Sequence, residues 1–421
     1  MQHHAIKSLL ILTIFASFLS TANSLFWKKK EFNYSPVIII PGNGGCRIEA
    51  KTVNPKVPTP KCRVSKDWYL IWANIENIDL FAGEYTYGCW EDYIRLQFNR
   101  TTGESHSYPG VYTRIPGWGT TETVEYVDPS WLTFLAGNTG AYFSTFVRKL
   151  LNIGYERGKS VRAAPYDWRL APVSHSDYFR RFKELIEDTY EKNGQRKVVL
   201  AAHSMGGTYT TYFLRQQTEA WKNKYVRYML SLNVPYGGAT ALLWLYASGY
   251  NWGINFISAK KVRDEERTYE SPAFMMPNDL AWNENDVVII TKDKKYTIKD
   301  YEQFFLDINH KDGVKLWQRA RVNTTEERIH PGVDIVCIYA HGLPTGSTLD
   351  YRRAHFPDEQ PSVLHEDGDK TVTTRSMKVC EMWDNHPKYN FELKKFKGIG
   401  HNDLLYNEDF YIYLEEMLRL P

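Results

Sequence analysis

The chain has 421 residues, of which 43% are hydrophobic and 24% are charged, a composition typical of a globular protein with a substantial core. The formal net charge is only +3. This excludes the strongly basic surface of most nucleic-acid-binding proteins, so we expect no nucleic-acid partner. Aromatic residues make up 15% of the chain, with 13 Trp and 29 Tyr, which favours contact with apolar ligands or membrane surfaces.

The first 24 residues are predicted to be a signal peptide. Lys7 precedes an apolar run from Leu9 to Leu19, and Ala22-Asn23-Ser24 supplies small residues for cleavage. The apolar run is shorter than the ~20 residues of a helix that spans a membrane. We therefore expect a protein of the secretory pathway, in a lysosome or outside the cell.

Three sequons, at Asn33, Asn99 and Asn323, agree with a secretory route. A lone sequon is commonly a chance match, whereas three behind a signal peptide are better than chance. Pro36 follows the first sequon and disfavours its use, so Asn99 and Asn323 are the predicted glycosylation sites.

Five cysteines are an odd number, so an oxidising compartment leaves one of them unpaired. We pair Cys62 with Cys89 and Cys337 with Cys380, which leaves Cys46 as a free thiol. Sequence alone does not determine this connectivity.

A buried parallel strand is predicted from Pro36 to Pro41, because the run between the prolines is apolar and β-branched. It leads into Gly42-Asn43-Gly44-Gly45, where glycines allow the backbone to approach a ligand closely. A loop of this kind can direct a backbone N–H at a developing oxyanion. A plain tight turn is the alternative interpretation.

Residues 61–89 are predicted to form a small excursion closed by Cys62 and Cys89. Its apolar side chains include Trp68, Leu70 and Trp72, a composition typical of contact with a membrane interface. Packing against the main domain is the alternative for about half of the apolar side chains.

Helices and strands then alternate along the chain. The periodicity predicts helices from Tyr142 to Leu151 and from Phe179 to Tyr190, and strands from Val161 to Pro165 and from Tyr228 to Val234. Such an alternation favours an α/β fold with a mostly parallel, doubly wound sheet.

A short apolar run from Lys197 ends at Ser204, and a helical pattern follows at once. This order of strand, sharp turn and helix is typical of the nucleophile elbow of a serine hydrolase. Ala202 and Gly206 leave room for the turn, and the start of the helix directs N–H groups towards a developing oxyanion. An ordinary strand-to-helix turn with a capping serine is the alternative.

The alternation is lost from Ala239 and resumes with strands predicted from Val333 to Tyr339 and from Phe391 to Phe396, before a last helix near Tyr411 to Leu418. We interpret residues 239–330 as an insertion that forms a lid over an apolar site. The charged run from Lys260 to Arg267 inside it is predicted to be a solvated face.

Two late motifs complete a possible catalytic triad. Asp369 lies on a predicted tight turn, and His401 comes just after the strand that ends near Phe396. The order Ser204, Asp369, His401 is that of α/β-hydrolases. In this interpretation His401 takes the serine proton, and Asp369 orients the imidazole and stabilises its charged form. Asp367 is the alternative acid.

The chain resembles the family of lecithin:cholesterol acyltransferase and lysosomal phospholipase A2 (group XV) from the first strand to the last helix. The matching motifs are PVIIIPG, EAK at Glu49–Lys51, VRAAPYDWR, AHSMGG, QTEAWKNKY, VPYGG, LYASG, GLPT, EDGDKTVTTRS and GIGH.

The resemblance implies an α/β-hydrolase fold with a lid and a membrane-binding excursion. It also implies roles for individual residues: Ser204, Asp369 and His401 as the triad, and Asn43 with Met205 as the oxyanion pair. Both disulfide pairings match the family pattern, and Trp72 falls where the family has a tryptophan.

The chain departs from the family at the oxyanion loop. Asn43 stands where the lysosomal branch has an aspartate and the plasma branch a cysteine, and Cys46 replaces an asparagine. The motif around Ser204 is similar to the lysosomal branch, whereas the motif around Asp369 is similar to the plasma branch.

The sequence therefore predicts a serine-dependent phospholipase A and O-acyltransferase that passes an acyl group to water or a lipid alcohol. The alternatives are a phosphatidylcholine-sterol acyltransferase of the plasma type and a non-catalytic lipid-binding protein on a hydrolase scaffold. We expect a monomer that acts at a phospholipid membrane or lipoprotein surface, with no cofactor and no metal. The predicted core comprises residues 25–60, 90–238 and 331–421.

Overall fold

The computed structural model describes residues 32–62, 64–73, 83–129, 140–251, 258–321 and 330–420, without the side chains of residues 83–87. The predicted signal peptide and Asn323 lie outside the described residues. The chain divides into two units. In the smaller unit, Tyr34 forms an antiparallel bridge with Arg419, whose guanidinium lies over the tyrosine ring. All further description concerns the larger unit, Ser35–Leu418.

The strands are named in chain order. They are β1 (Val37–Ile40), β2 (Ile48–Thr52), β3 (Tyr69–Trp72), β4 (Gln97–Phe98), β5 (Ser105–His106), β6 (Val111–Arg114), β7 (Val161–Ala163), β8 (Val198–His203), β9 (Val226–Leu232), β10 (Ile289–Ile290), β11 (Lys295–Tyr296), β12 (Ile335–His341), β13 (Leu343–Asp350), β14 (Ser362–Gly368) and β15 (Phe391–Lys397).

The α-helices are named in the same way. They are α1 (Gly83–Ile94), α2 (Glu122–Glu125), α3 (Ser144–Asn152), α4 (Ser176–Lys192), α5 (Met205–Arg215), α6 (Glu219–Tyr225), α7 (Ala241–Ser248), α8 (Ala259–Glu266), α9 (Glu270–Phe274), α10 (Tyr301–Asp307), α11 (Lys311–Ala320), α12 (Thr374–Met377) and α13 (Glu408–Leu418). Among the described residues, no helix is both long enough and apolar enough to span a membrane.

The central sheet has the strand order β15-β12-β9-β8-β1-β7, and all of its neighbouring strands are parallel. In chain order, β1 comes first and β7 pairs with one side of it. The chain then returns to the other side of β1, where β8, β9, β12 and β15 follow outward. This reversal makes the sheet doubly wound, as predicted. Because β1, β8 and β15 are parallel, the loops that follow them meet at one edge of the sheet.

Within the described ranges, three smaller sheets accompany the central sheet. The first has the strand order β11-β10-β13-β14, the second has the order β3-β2-β6, and the third is the pair β4-β5. The first sheet joins β10 and β11, from the predicted lid, to β13 and β14, which follow residue 330. The second joins β3, from the predicted excursion, to β2, which precedes the excursion in the chain, and to β6, which follows it. The proposed domain boundaries remain predictions.

The predicted lid is partly helical, and one prediction about it is wrong. In α8, the supposed solvated face, Arg263, Glu265 and Glu266 are buried. Arg263 forms an ion pair with Asp358 at 2.9 Å and also donates to the carbonyl of Ala247, near the end of α7. These partners compensate the burial of a charge that the sequence pattern assigned to solvent.

Both predicted disulfides are present, Cys62–Cys89 and Cys337–Cys380. Cys46 is a buried free thiol, as predicted, and its Sγ donates to the carbonyl of Tyr166 at 2.9 Å. Burial raises the pKa of this thiol to about 12, so it stays protonated at neutral pH.

Candidate active site

A strained turn between β8 and α5 presents Ser204. Its φ is +54° and its ψ is −133°, a conformation that a residue with a side chain adopts only when its surroundings enforce it. The enforcing contact lies at Gly206, where a Cβ atom would be 2.3 Å from the carbonyl oxygen of Pro41. At Gly207 a Cβ would be 2.1 Å from Val234. The helix therefore enters so close to the end of β1 and to the segment after β9 that both positions require glycine.

The structure brings Ser204, His401 and Asp369 into one chain of hydrogen bonds. His401 Nε2 lies 2.9 Å from Ser204 Oγ, and His401 Nδ1 lies 2.6 Å from Asp369 Oδ2. The other carboxylate oxygen of Asp369 accepts the backbone N–H groups of Thr371 and Val372 at 2.9 and 2.7 Å. Asp369 is fully buried and His401 is nearly so. The acid is thus held rigidly against the imidazole.

Asp367, the alternative acid, lies elsewhere. Its side chain is 51% exposed at the end of β14. One of its oxygens accepts the N–H of Gly342 at 2.8 Å, and the other accepts the hydroxyl of Thr374. These contacts stabilise the edge of the sheet formed by β11, β10, β13 and β14. The structure therefore brings Asp369, and not Asp367, to His401.

The loop after β1 lies against the serine. A Cβ at Gly42 would be 2.8 Å from Ser204 Cβ, so the backbone passes directly beside the Ser204 side chain. Asn43 follows in an exposed position, and Gly45 N–H donates to the carbonyl of Gly42 at 3.0 Å to close the turn. Met205, the first residue of α5, is buried on the other side of Ser204. Of the predicted oxyanion pair, Asn43 thus directly follows Gly42, which lies against Ser204, and Met205 directly follows Ser204 itself.

Three residues near the triad were missed by sequence reasoning: His203 and Asn233, which contact the backbone of His401, and Tyr142, which contacts His203. The Asn233 amide donates to the carbonyl of His401 at 2.8 Å, and its oxygen accepts the N–H of Ala340 at 2.7 Å. Its φ of +49° is a conformation that asparagine tolerates better than most residues. The position of His203 beside Ser204 was a visible clue. Tyr142 is far from the motifs along the chain and gave none, and Asn233, although it directly precedes the VPYGG motif, carried no signal of its own.

His203 is completely buried, and its environment keeps it neutral. Burial and, to a smaller extent, the neighbouring His401 hold the pKa of His203 well below its ordinary value. Its Nδ1 lies 2.5 Å from the Tyr142 hydroxyl, and its Nε2 lies 3.2 Å from the carbonyl of His401. The two histidines therefore differ in role: one faces the serine and the other lies behind it.

The predicted membrane contacts lie on β3 and just before it. Trp72 is half-buried, and its Nε1 donates to the carbonyl of Gly44 at 2.8 Å, which joins the excursion to the loop beside Ser204. Trp68 is half-buried near two cations, 4.4 Å from the Arg114 guanidinium and 5.1 Å from Lys51 Nζ. Leu70, also half-buried, lies opposite Glu49 of β2.

A buried ion pair holds the last residue of α1, the helix that begins in the excursion and ends in the core. Arg169 donates to both oxygens of Asp167, and also to the carbonyl of Ile94 at 2.7 Å and the hydroxyl of Thr113 at 3.1 Å. Burial opposes the charge of Asp167, but Arg169 outweighs it, so the pKa of Asp167 lies below its ordinary value. This pair fixes α1 and β6 to the loop after β7.

Metal ligands do not cluster in the part of the chain that the structure describes. No group of three or more His, Cys, Asp or Glu side chains there is arranged to hold a metal ion.

Comparisons with known proteins identify the family of the chain. The sequence profile of the family described as lecithin:cholesterol acyltransferase matches residues 68–330 and 321–408. The chain is 37% identical to the lysosomal phospholipase A and acyltransferase of Canis lupus familiaris over 387 residues, which cover 92% of each protein. The corresponding Homo sapiens enzyme is 37% identical over 389 residues, 92% of this chain and 91% of that protein.

A second group of relatives is similar to the same extent. The chain is 40% identical to the phosphatidylcholine-sterol acyltransferase of Gallus gallus over 374 residues, which cover 88% of this chain and 87% of that protein. The profile match and these relatives extend over almost the whole described chain, including the elbow and both late motifs. The chain belongs to the lecithin:cholesterol acyltransferase family.

Proposed function

We propose that this protein is a phospholipase A and O-acyltransferase that moves a fatty acyl group from a glycerophospholipid, through an acyl-Ser204, to water or a lipid alcohol. The observation that carries the proposal is the unbroken chain of hydrogen bonds from Ser204 through His401 to the buried Asp369. It occurs in a chain whose relatives are named as phospholipases and acyltransferases.

In the first half of the reaction, Ser204 Oγ attacks the ester carbonyl carbon while His401 Nε2 accepts the hydroxyl proton. The carbonyl oxygen becomes negative, and the N–H groups of Asn43 and Met205 stabilise it. As the intermediate collapses, the ester C–O bond breaks. His401 returns the proton to the leaving oxygen of the lysophospholipid. Asp369 remains ionised and keeps the imidazole oriented.

In the second half, water or the hydroxyl group of a lipid alcohol takes the place of the lysophospholipid. His401 accepts its proton as its oxygen attacks the acyl-serine carbonyl, and the same two N–H groups stabilise the second oxyanion. The bond from Ser204 Oγ to the acyl carbon then breaks, and the serine regains its proton. Hydrolysis releases a fatty acid, whereas transfer releases an acylated lipid.

The excursion formed by residues 61–89 supplies the membrane contact in this proposal. Trp68 and Leu70 are half-buried side chains at the β3 strand of the β3-β2-β6 sheet. Lys51 and Arg114 place positive charge beside the tryptophan ring. Amphipathic rings of this kind anchor proteins at the headgroup level of a bilayer. Residues 239–330 act as the lid, and the protein works as a monomer in a lysosome or outside the cell.

The predicted glycan site fits this route. Asn99 lies in the turn between β4 and β5, where its Oδ1 accepts the N–H groups of Thr101 and Thr102 at 2.9 and 3.2 Å. Only the side-chain oxygen holds this turn, and the amide nitrogen is the atom that would carry a glycan.

A sterol is the second candidate acceptor, because the Gallus gallus relative is named for transfer to a sterol. Purified protein incubated with phosphatidylcholine liposomes that contain both a sterol and a ceramide will distinguish the acceptors. A cholesteryl ester as the main product identifies the sterol type, whereas an acylceramide or free fatty acid identifies the lysosomal type.

The Ser204→Ala variant should abolish both hydrolysis and acyl transfer while leaving liposome binding intact. Loss of a triad nucleophile lowers turnover by several orders of magnitude, on the order of 10⁶. Measurement of fatty acid release, together with co-sedimentation with liposomes, checks both parts. Turnover above a tenth of the wild-type value would contradict the proposed nucleophile.

The Asp369→Asn variant should disable His401, because an amide offers the imidazole the wrong hydrogen-bonding partner. We expect a loss of about 10⁴ in kcat on a soluble ester by analogy with other triads. Asp367→Asn is the matched control and should retain most of the activity, since this side chain contacts Gly342 and Thr374. The reverse order of damage would show that the two acids have been assigned wrongly.

The Asn43→Asp variant should shift activity towards acid. Asparagine is uncharged at every pH, whereas an aspartate is neutral only in acid. When ionised, the carboxylate opposes the developing oxyanion. The variant should therefore lose activity near neutrality and keep more of it in acid, as measured by pH–rate profiles on a soluble ester. Superimposable profiles would mean that residue 43 does not sense the oxyanion.

Alanine substitutions at Trp68 and Trp72 should have different effects. Trp68→Ala should reduce turnover on liposomes and leave turnover on a short soluble ester nearly unchanged, because the Trp68 ring lies beside Lys51 and Arg114 of the β3-β2-β6 sheet. Trp72→Ala should reduce both, because the Trp72 indole also bonds the loop beside Ser204. Equal losses on both substrates for Trp68→Ala would rule out its anchoring role.

A further inference from the structure

We propose that His203 and Tyr142 are positioning residues that hold the loop beside Ser204 and the backbone of His401 at a fixed separation. This inference rests on the proposed function, since it concerns the alignment of the oxyanion site with the general base. Neither side chain touches the substrate in this view. Together they form a bridge from Gly42, on one side of Ser204, to His401 on the other.

The direction of each hydrogen bond in this bridge follows from its two ends. At one end, the carbonyl of His401 can only accept, so His203 Nε2 at 3.2 Å carries the hydrogen. In the neutral ring Nδ1 is then an acceptor, and the Tyr142 hydroxyl at 2.5 Å donates to it. The same hydroxyl oxygen accepts the N–H of Gly42 at 3.0 Å.

Every member of the bridge is buried. His203 is 0% exposed and Tyr142 is 8% exposed, so water does not compete for these hydrogen bonds. The neutrality of His203 agrees with the single tautomer that the geometry requires. A buried polar chain in which each donor has an acceptor rigidifies its surroundings, and one missing member leaves the others unsatisfied.

Both ends of the bridge bear on the reaction. Gly42 lies against Ser204 and precedes Asn43, so the Tyr142 hydroxyl limits how far the proposed oxyanion N–H can move from the serine. The carbonyl of His401 accepts from His203 and also from Asn233, so its backbone is held from two directions. When His401 takes and returns the proton, the oxyanion loop stays in register with it.

The first test removes one hydroxyl. In Tyr142→Phe the ring remains, but Gly42 N–H and His203 Nδ1 lose their shared partner. We expect kcat on a short soluble ester to fall at least tenfold while KM changes less than twofold. Removing an oxyanion donor outright costs about 10²–10³ in kcat, and here the donor is only displaced.

Tyr155→Phe is the matched control. Its hydroxyl is buried and donates to the carbonyl of Ser35 at 2.6 Å, next to the start of β1 and therefore at the opposite edge of the sheet from Gly42. Thermal denaturation should show that both variants lose stability. A role that is only structural would lower Tm in both and leave kcat alike. A kcat loss in Tyr142→Phe less than fivefold greater than that in Tyr155→Phe overturns the proposal.

A second test keeps the proposal falsifiable if Tyr142→Phe does not fold. The amide of Gln in His203→Gln can still donate to the carbonyl of His401, whereas His203→Leu cannot. We expect the glutamine variant to retain at least tenfold more kcat than the leucine variant, measured on the full-length secreted protein. A ratio below tenfold at this position overturns the proposal.

A separate variant tests the proposed function, so its failure can be told apart from a failure of the bridge. Ser204→Ala in the same assay reports on the nucleophile alone. If that variant keeps its activity, the proposed function is wrong. If it is inactive while Tyr142→Phe matches its control, the function stands and only the bridge is wrong.

Discussion

The site depends on the close approach of α5 to the end of β1. The carbonyl groups of Ile40 and Pro41 occupy the space where a side chain at Gly206 would lie, with hypothetical Cβ distances of 2.6 and 2.3 Å. Only glycine fits there, and the chain must therefore turn sharply before the helix. Ser204 absorbs that turn with a positive φ, which places its hydroxyl above the sheet edge. The strain at one residue is compensated by the packing of two buried elements.

From that contact the remaining geometry follows through parallel strands. β1, β8 and β15 run in the same direction, so the loop with Asn43, the elbow and the segment with His401 all emerge at one edge. Asp369 reaches the same edge from β14, and its backbone carbonyl accepts the N–H of His401 at 2.9 Å. Four segments that are distant along the chain thus form one site of buried hydrogen bonds. In this low-dielectric setting an unpaired polar group would be costly, which explains why the buried polar side chains of the site are hydrogen-bonded.

The excursion is coupled to the same edge and is more than a separate attachment. Trp72 donates to the carbonyl of Gly44, and the buried Arg169 ties α1 and β6 to the loop after β7. The excursion and the loop beside Ser204 are therefore held together by a direct hydrogen bond.

The sequence by itself determined the parallel core, the elbow and a chain order of serine, acid and histidine, because these features depend on local rules. Buried strands are apolar runs, and a sharp turn requires small residues on both sides of the serine. Short strands such as β10 and β11 and the uniformly apolar helix α7 gave no periodic pattern to detect. Only the tertiary structure decided that Asp369 rather than Asp367 meets His401, that half of α8 is buried, that His203 and Asn233 contact the backbone of His401, and that Tyr142 contacts His203. Those outcomes depend on which distant segments pack together, and a side chain's partner across 100 residues leaves no trace in its own neighbourhood of the sequence.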